Sequence, residues 1–341
     1  MKKLITIISL AFVGFAFGQD EEPKFKVTGS IDAYFNANLT SQNDEDASGD
    51  YSVFNDDSGF SAGLANVAFY YQGKTVGFIA DLAYGPRMDT YNSGNVVNEA
   101  YMYWNVNDKV MLMMGRFNNW MGYESLSAAN NFHYTMSHQF TYSTRNLNGV
   151  IARFDLGSDF RAGVGVMNPA EYSTENITGD FSVGAGITYK GKTGISVLAS
   201  QSASYYDFKT AFKINDNLNV KLNAHKAEFG VGDASTGQQW TDSQVALVGL
   251  GAEGFTSITA YPQLKSSETL SWGLRLEYMM LDDEEDTTVF SPTLTARYSV
   301  GDLTIIPELR VDKASEELFR DNENNLDKGN AAFTLAAVYT F

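Results

Sequence analysis

Hydrophobic residues recur at every second position along most of this chain. The C-terminal stretch AAFTLAAVYTF shows the pattern plainly. Ala331, Phe333, Leu335, Ala337, Tyr339 and Phe341 fall on one side of an extended chain, and Ala332, Thr334, Ala336, Val338 and Thr340 on the other. The same period sets Phe25, Val27, Ile31 and Phe35 against Lys26, Thr28, Asp32 and Asn36. It sets Trp272, Leu274, Leu276 and Tyr278 against Gly273, Arg275 and Glu277, and Leu303, Ile305 and Leu309 against Thr304, Glu308 and Arg310. Most such runs are about ten residues, the length of a tilted strand that crosses a bilayer. No helical period of usable length intervenes.

The connections alternate as well. Short turns fall at Gln72–Lys74, Asn107–Lys109, Gly157–Asp159, Gly191–Lys192, Asn215–Asn217 and Gly301–Asp302. Between them lie long polar loops: Thr40–Ser58, Gly85–Asn95, Asn118–Asn146, Asn168–Asp180 and Ser315–Gly329. Tight turns on one rim and long loops on the other predict an all-β fold: a single closed antiparallel transmembrane β-barrel with periplasmic turns and extracellular loops. The segment Thr241–Leu264 reads as one strand or two. An even number is needed to bring both termini to the same rim, which gives about sixteen strands. A soluble β-sandwich would alternate too, but its loops need not segregate by length, and this chain shows no linker or compositional break. Tyr84, Tyr189, Tyr278, Tyr339 and Phe341 end their strands on the apolar face, where aromatic girdles meet lipid headgroups.

The N-terminus strengthens this reading. MKKLITIISLAFVGFAFG has two lysines, an apolar run from Leu4 to Phe17 and a small-residue site ending at Gly18, the pattern of a cleaved signal peptide. The expected division is therefore a signal peptide at 1–18 and a barrel at 19–341, located in the outer membrane of a Gram-negative cell. The chain has no Cys, so neither a lipid anchor nor disulfides are expected. Cleavage would remove two of 24 basic side chains and none of the 41 acidic ones, taking the net charge from −17 to −19. That sign excludes nucleic acid as a partner.

If the apolar face meets lipid, the opposite parity lines the lumen. That places Arg153, Arg161, Lys209, Lys213, Lys221, Arg275, Arg297 and Arg310 inside, facing Asp32, Asp81, Glu99, Asp155, Asp207, Glu277, Glu308 and Asp312. The pore-lining candidates are Arg153, Arg161, Lys209, Lys213, Arg275, Glu277, Arg297, Glu308, Arg310 and Asp312, a nearly neutral wall. The excess negative charge then sits on loop runs such as Asp44–Asp46, Asp56–Asp57 and Asp282–Asp286, as solvated tips that lend a weak cation preference. Loop Asn118–Asn146 is different, being rich in aromatics and poor in charge. It is expected to fold inward as a constriction, with Trp120, Tyr123, Glu124, Phe132 and His133 at the narrowing, the alternative being that it packs against the rim or a neighbouring subunit.

The order NEAYMYW, MGRF, MGYE and NFHYTMSHQF, followed by a return strand after Asn148-Gly149, resembles the OmpL-like β-barrel porins of Bacteroidota. SPTLTARYSVGDLTIIPELRVDKA, residues 291–314, resembles the strand pair near the C-terminus of that family. The resemblance implies a pore-forming outer-membrane protein and brings no catalytic residues. A C-terminal strand ending in Phe also resembles the signal by which outer-membrane proteins are inserted. This makes Tyr339 and Phe341 the assembly-signal candidates, and outer-membrane lipids and the barrel-assembly machinery the expected partners.

Enzyme signals fail. His133 and His138 are five apart, not the four of a helical zinc site, and there is no HExxH, GxSxG or phosphate loop. No catalytic residues, metal or cofactor are expected. The expected function is a porin: a weakly selective, water-filled channel for passive diffusion of small hydrophilic solutes, with room for homo-oligomers. The competing reading is a non-conducting structural or adhesive barrel plugged by its own loops.

Overall fold

The computed structural model describes residues 24–43, 58–92, 95–169, 179–200, 203–229, 247 and 251–341. The signal segment 1–18, the acidic runs Asp44–Asp46 and Asp56–Asp57, and much of 230–250 lie outside the described residues.

Sixteen antiparallel strands close into one barrel. In chain order they are β1 (Lys24–Asn38), β2 (Gly59–Gln72), β3 (Val76–Tyr84), β4 (Val97–Asn107), β5 (Val110–Phe117), β6 (Leu147–Gly157), β7 (Phe160–Met167) and β8 (Ser182–Tyr189). There follow β9 (Thr193–Ala199), β10 (Ala203–Lys213), β11 (Leu218–Phe229), β12 (Gly254–Lys265), β13 (Leu270–Leu281), β14 (Thr288–Val300) and β15 (Leu303–Ala314). Two short strands, β16 (Phe319–Arg320) and β17 (Leu326–Asp327), pair in the last loop, and β18 (Gly329–Thr340) closes the barrel against β1. Closure leaves no free strand edge, which is what a spanning sheet requires where no water can pair its backbone.

All six expected turns lie on the rim that holds both described termini, and a seventh turn, 266–269, joins β12 to β13. At 190–192 the reversal needs left-handed backbone at Lys190 and Gly191 (φ 54° and 62°), a conformation that glycine adopts without penalty. The other rim is less uniform than the loop pattern suggests, since connections 200–202 and 282–287 are short. Two helices, α1 (Pro86–Asn92) and α2 (His138–Tyr142), form within loops. Their apolar residues were too few to show a helical period.

The outer face carries the apolar parity. Phe25, Ile31, Phe78, Leu82, Ile195, Trp272 and Tyr278 are all exposed. Tyr189, Tyr298, Tyr339 and Phe341 ring the turn rim, and Phe60, Tyr84 and Phe290 the loop rim.

The last residue has a structural partner. Gly29 and Phe341 exchange backbone hydrogen bonds, N–H to O, at 3.1 Å each. The Phe341 ring lies over Gly29, where a Cβ would meet it at 2.4 Å. The missing side chain on β1 is thus covered by the terminal aromatic across the closing seam. Deleting Phe341 should cut the amount of assembled barrel in the outer membrane several-fold, while the thermal stability of barrel that does assemble changes less. Heat-modifiable gel migration of membrane fractions measures both, and unchanged assembly would refute the role.

Candidate functional site

Loop 118–146 joins β5 to β6 and runs inside the barrel. Its aromatic content drives it there: Tyr134 and Tyr142 are fully buried, and Leu126 and Met136 nearly so. A segment inside a barrel has no neighbouring strand, so its amides need other partners. The wall supplies them. Glu308 accepts the N–H groups of Tyr134 and Thr135 at 2.8 and 3.0 Å, and Glu277 those of His138 and Gln139 at 2.9 and 2.7 Å. Glu99 accepts from the Asn118 amide at 3.0 Å and Asp207 from that of Gly122 at 3.2 Å.

Loop carbonyls are met by wall cations. Arg297 donates to Asn131 O at 2.5 Å, Arg275 to Thr135 O at 2.5 Å and Arg310 to Met136 O at 2.7 Å. Lys209 donates to Trp120 O and Gly122 O at 2.7 and 2.8 Å. Arg275 also pairs with Glu124 at 3.0 Å, and Asp312 with Arg310 and His138 at 2.9 Å each. Tyr134 Oη donates to Asp32 at 2.6 Å directly over Gly63, where any Cβ would collide with both. α1 closes over the loop from above: Met88 and Tyr91 pack with Leu126 and Met136, and Arg145 donates to Thr90 O and Tyr91 O.

Strand parity therefore puts the expected residues on the inner face, but the loop changes what they do. Arg275, Glu277, Glu308, Arg310 and Asp312 are buried beneath it. They anchor the loop rather than line a water-filled passage, which corrects the expectation of a wetted two-sign wall there. Lys209 is likewise buried, Arg153, Arg161 and Arg297 are half-buried, and Lys213 is exposed beside Asp216 at 2.7 Å near its turn. Of the narrowing residues, Trp120 and Tyr123 stand at the loop's partly exposed edge. Glu124 and His133 are turned into the wall, His133 Nδ1 lying 2.7 Å from Thr295 Oγ1, and Phe132 packs on Gly273. Nor does the inner parity everywhere meet water. Toward the loop rim Leu198, Phe229, Phe255, Met279, Leu281 and Val289 join Tyr142 in an apolar core inside the barrel.

One cluster has the outline of a hydrolase relay. Ser143 Oγ lies 3.2 Å from His225 Nε2, and His225 Nδ1 lies 3.2 Å from Asp207. Ser143, however, is buried, and its amide is spent on Gln139 O at the end of α2. The relay fixes the loop's return.

A closed sixteen-stranded antiparallel barrel with a loop folded into its lumen defines the outer-membrane porin class. Residues 24–341 match the family described as "Putative beta-barrel porin-2, OmpL-like", and the chain belongs to that family of the outer membrane. No curated protein matches the sequence. The fold is similar to the outer membrane channel DcaP of Acinetobacter baumannii, with 16% identity and a TM-score of 0.62 over 94% of this chain and 97% of that one. It is also similar to an anion-selective porin from Comamonas acidovorans (10%, TM-score 0.63, 94% and 100%). OmpT of Vibrio cholerae in its trimer form gives 11%, 0.60, 94% and 100%.

Two outcomes test the loop's anchorage. Glu277→Ala leaves two buried amides without acceptors, each costing about 1–3 kcal/mol. Chymotrypsin should then cut at Phe140 and Tyr142, which the wild type protects. Burial, reinforced by Arg275, lowers His133 to about 3, so it is neutral in the docked loop. A released loop would return it toward about 6.5, so docking loses stability as pH falls below that value. Open-channel noise should rise between pH 7 and pH 5, and His133→Gln should remove most of the rise.

Proposed function

We propose that this porin passes small hydrophilic solutes by diffusion through the part of the lumen that loop 118–146 leaves free, with no energy input and no covalent chemistry. The observation that carries the reading is the loop held across a sixteen-stranded barrel, a width that side chains alone do not fill. Tyr123 and Trp120, at the loop edge, are the residues that limit solute size. The barrel-assembly machinery is the proposed partner of β18, on the strength of its terminal aromatic. A homo-oligomer is the proposed assembly, supported by the trimer form of the similar Vibrio cholerae OmpT structure. Cross-linking of detergent-extracted protein tests it.

The extent of loop burial also favours the competing reading, a plugged barrel. Planar-bilayer recording separates the two. Deleting 122–142 should raise single-channel conductance several-fold over a measurable wild-type value. Zero conductance before and after deletion would establish a structural barrel instead.

A further inference from the structure

The loop does not use the two signs of wall charge alike. Asp32, Asp207, Glu277, Glu308 and Asp312 are turned to loop groups or covered by the loop. Asp155, the inward acid nearest a turn, caps its own reversal, accepting the Gly157 amide at 2.9 Å. The cations of the turn-rim half have a different fate. Lys209 and Arg297 spend their hydrogen bonds on neutral loop carbonyls rather than on carboxylates. Lys221 stands 5.2 Å from the Tyr123 ring at the loop edge, and Lys209 5.7 Å from the same ring.

The register ties these into a belt. Arg161 of β7 stands between Asp155 of β6 on one side and Thr188 on the other, Thr188 pairs with Gly194, and Gly194 with Lys209. Beyond the Asp155–Arg161 pair, the row from β7 to β10 therefore carries a cation at each end and no acid between. Three strand spacings make that about 14 Å along the wall. Arg153 lies diagonally above Arg161, and Lys221 diagonally below Lys209. Gly163 and Gly186, in the adjoining row, leave the wall low where these side chains reach inward.

From this arrangement we infer that the channel prefers anions. Arg153, Arg161, Lys209, Lys221 and Arg297 form a positive belt beneath the loop that favours small solutes carrying carboxylate, phosphate or other anionic groups. Cations in a narrow, low-dielectric passage raise the local concentration of the opposite charge. The described acidic runs, Asp282–Asp286 and Glu316–Glu317, lie on the opposite rim and are largely exposed, where salt screens them at about 8–10 Å. The inference rests on the porin reading and names the solute class of the same lumen.

The test is the reversal potential of the wild-type barrel in a planar bilayer under a tenfold KCl gradient at neutral pH. The expected sign is that of chloride preference. Arg161→Gln with Lys221→Gln removes two belt charges, of which Lys221 meets the loop only through the Tyr123 ring, and should move the potential to zero or to the potassium side. The charge-preserving pair Arg161→Lys and Lys221→Arg should keep the wild-type sign, which separates loss of charge from loss of fold. A wild-type channel that conducts with potassium preference, or a Gln pair with unaltered potential, overturns the anion inference while leaving the porin standing. A silent wild type overturns the porin reading itself.

Discussion

A chain segment laid inside a membrane barrel must find a partner for every peptide group it hides, and this protein meets that constraint with charged side chains. Carboxylates of Glu277 and Glu308 each take two consecutive amides of loop 118–146, as a neighbouring strand or a helix cap would. Arg275, Arg297, Arg310 and Lys209 take its carbonyls. Charge-assisted bonds of this kind are about twice as strong as neutral ones, and each is aimed from a rigid strand. The loop is therefore fixed by the wall rather than by its own secondary structure, which amounts to one short turn of 3₁₀ helix and the five residues of α2.

That division of labour sets the electrostatics of the lumen. An acceptor that holds two amides must be a carboxylate lying close to the chain, so the acids go under the loop. A cation that holds a carbonyl can keep its field, because the carbonyl carries no net charge to cancel it. The barrel is left with acidic runs in the loops of one rim, such as Asp282–Asp286, and a basic inner wall near the other. Glu124, the one acid of the inward loop, is withdrawn onto Arg275, so the loop edge at Trp120 and Tyr123 carries no charge of its own.

Closure at the β1–β18 seam follows from the same demand for paired backbone. The register runs from Asn38↔Ala332 to Ser30↔Thr340 without a break, and the exchange between Gly29 and Phe341 adds one more rung. The terminal aromatic covers a glycine there and faces lipid on its other side. It is held on three counts: by hydrogen bonds, by packing and by the interface.

Period-two alternation, turn chemistry and loop length were enough to read the barrel, its sixteen strands and the face each side chain takes. Each of those is a local property of an extended chain: one residue up, the next down. The aromatic-rich, charge-poor composition of loop 118–146 favours an inward course, but it would equally suit a loop packed on the rim or on a neighbouring subunit. What the sequence could not contain was the meeting of Tyr134 with Asp32, of Glu277 with the amides of His138 and Gln139, or of Phe341 with Gly29. These partners stand 102, 139, 138 and 312 positions apart. Parity tells that Glu308 points inward, but not whether water or a loop awaits it. That depends on where a chain anchored at β5 and β6 comes to rest across the barrel, and only the closed tertiary structure fixes such distances.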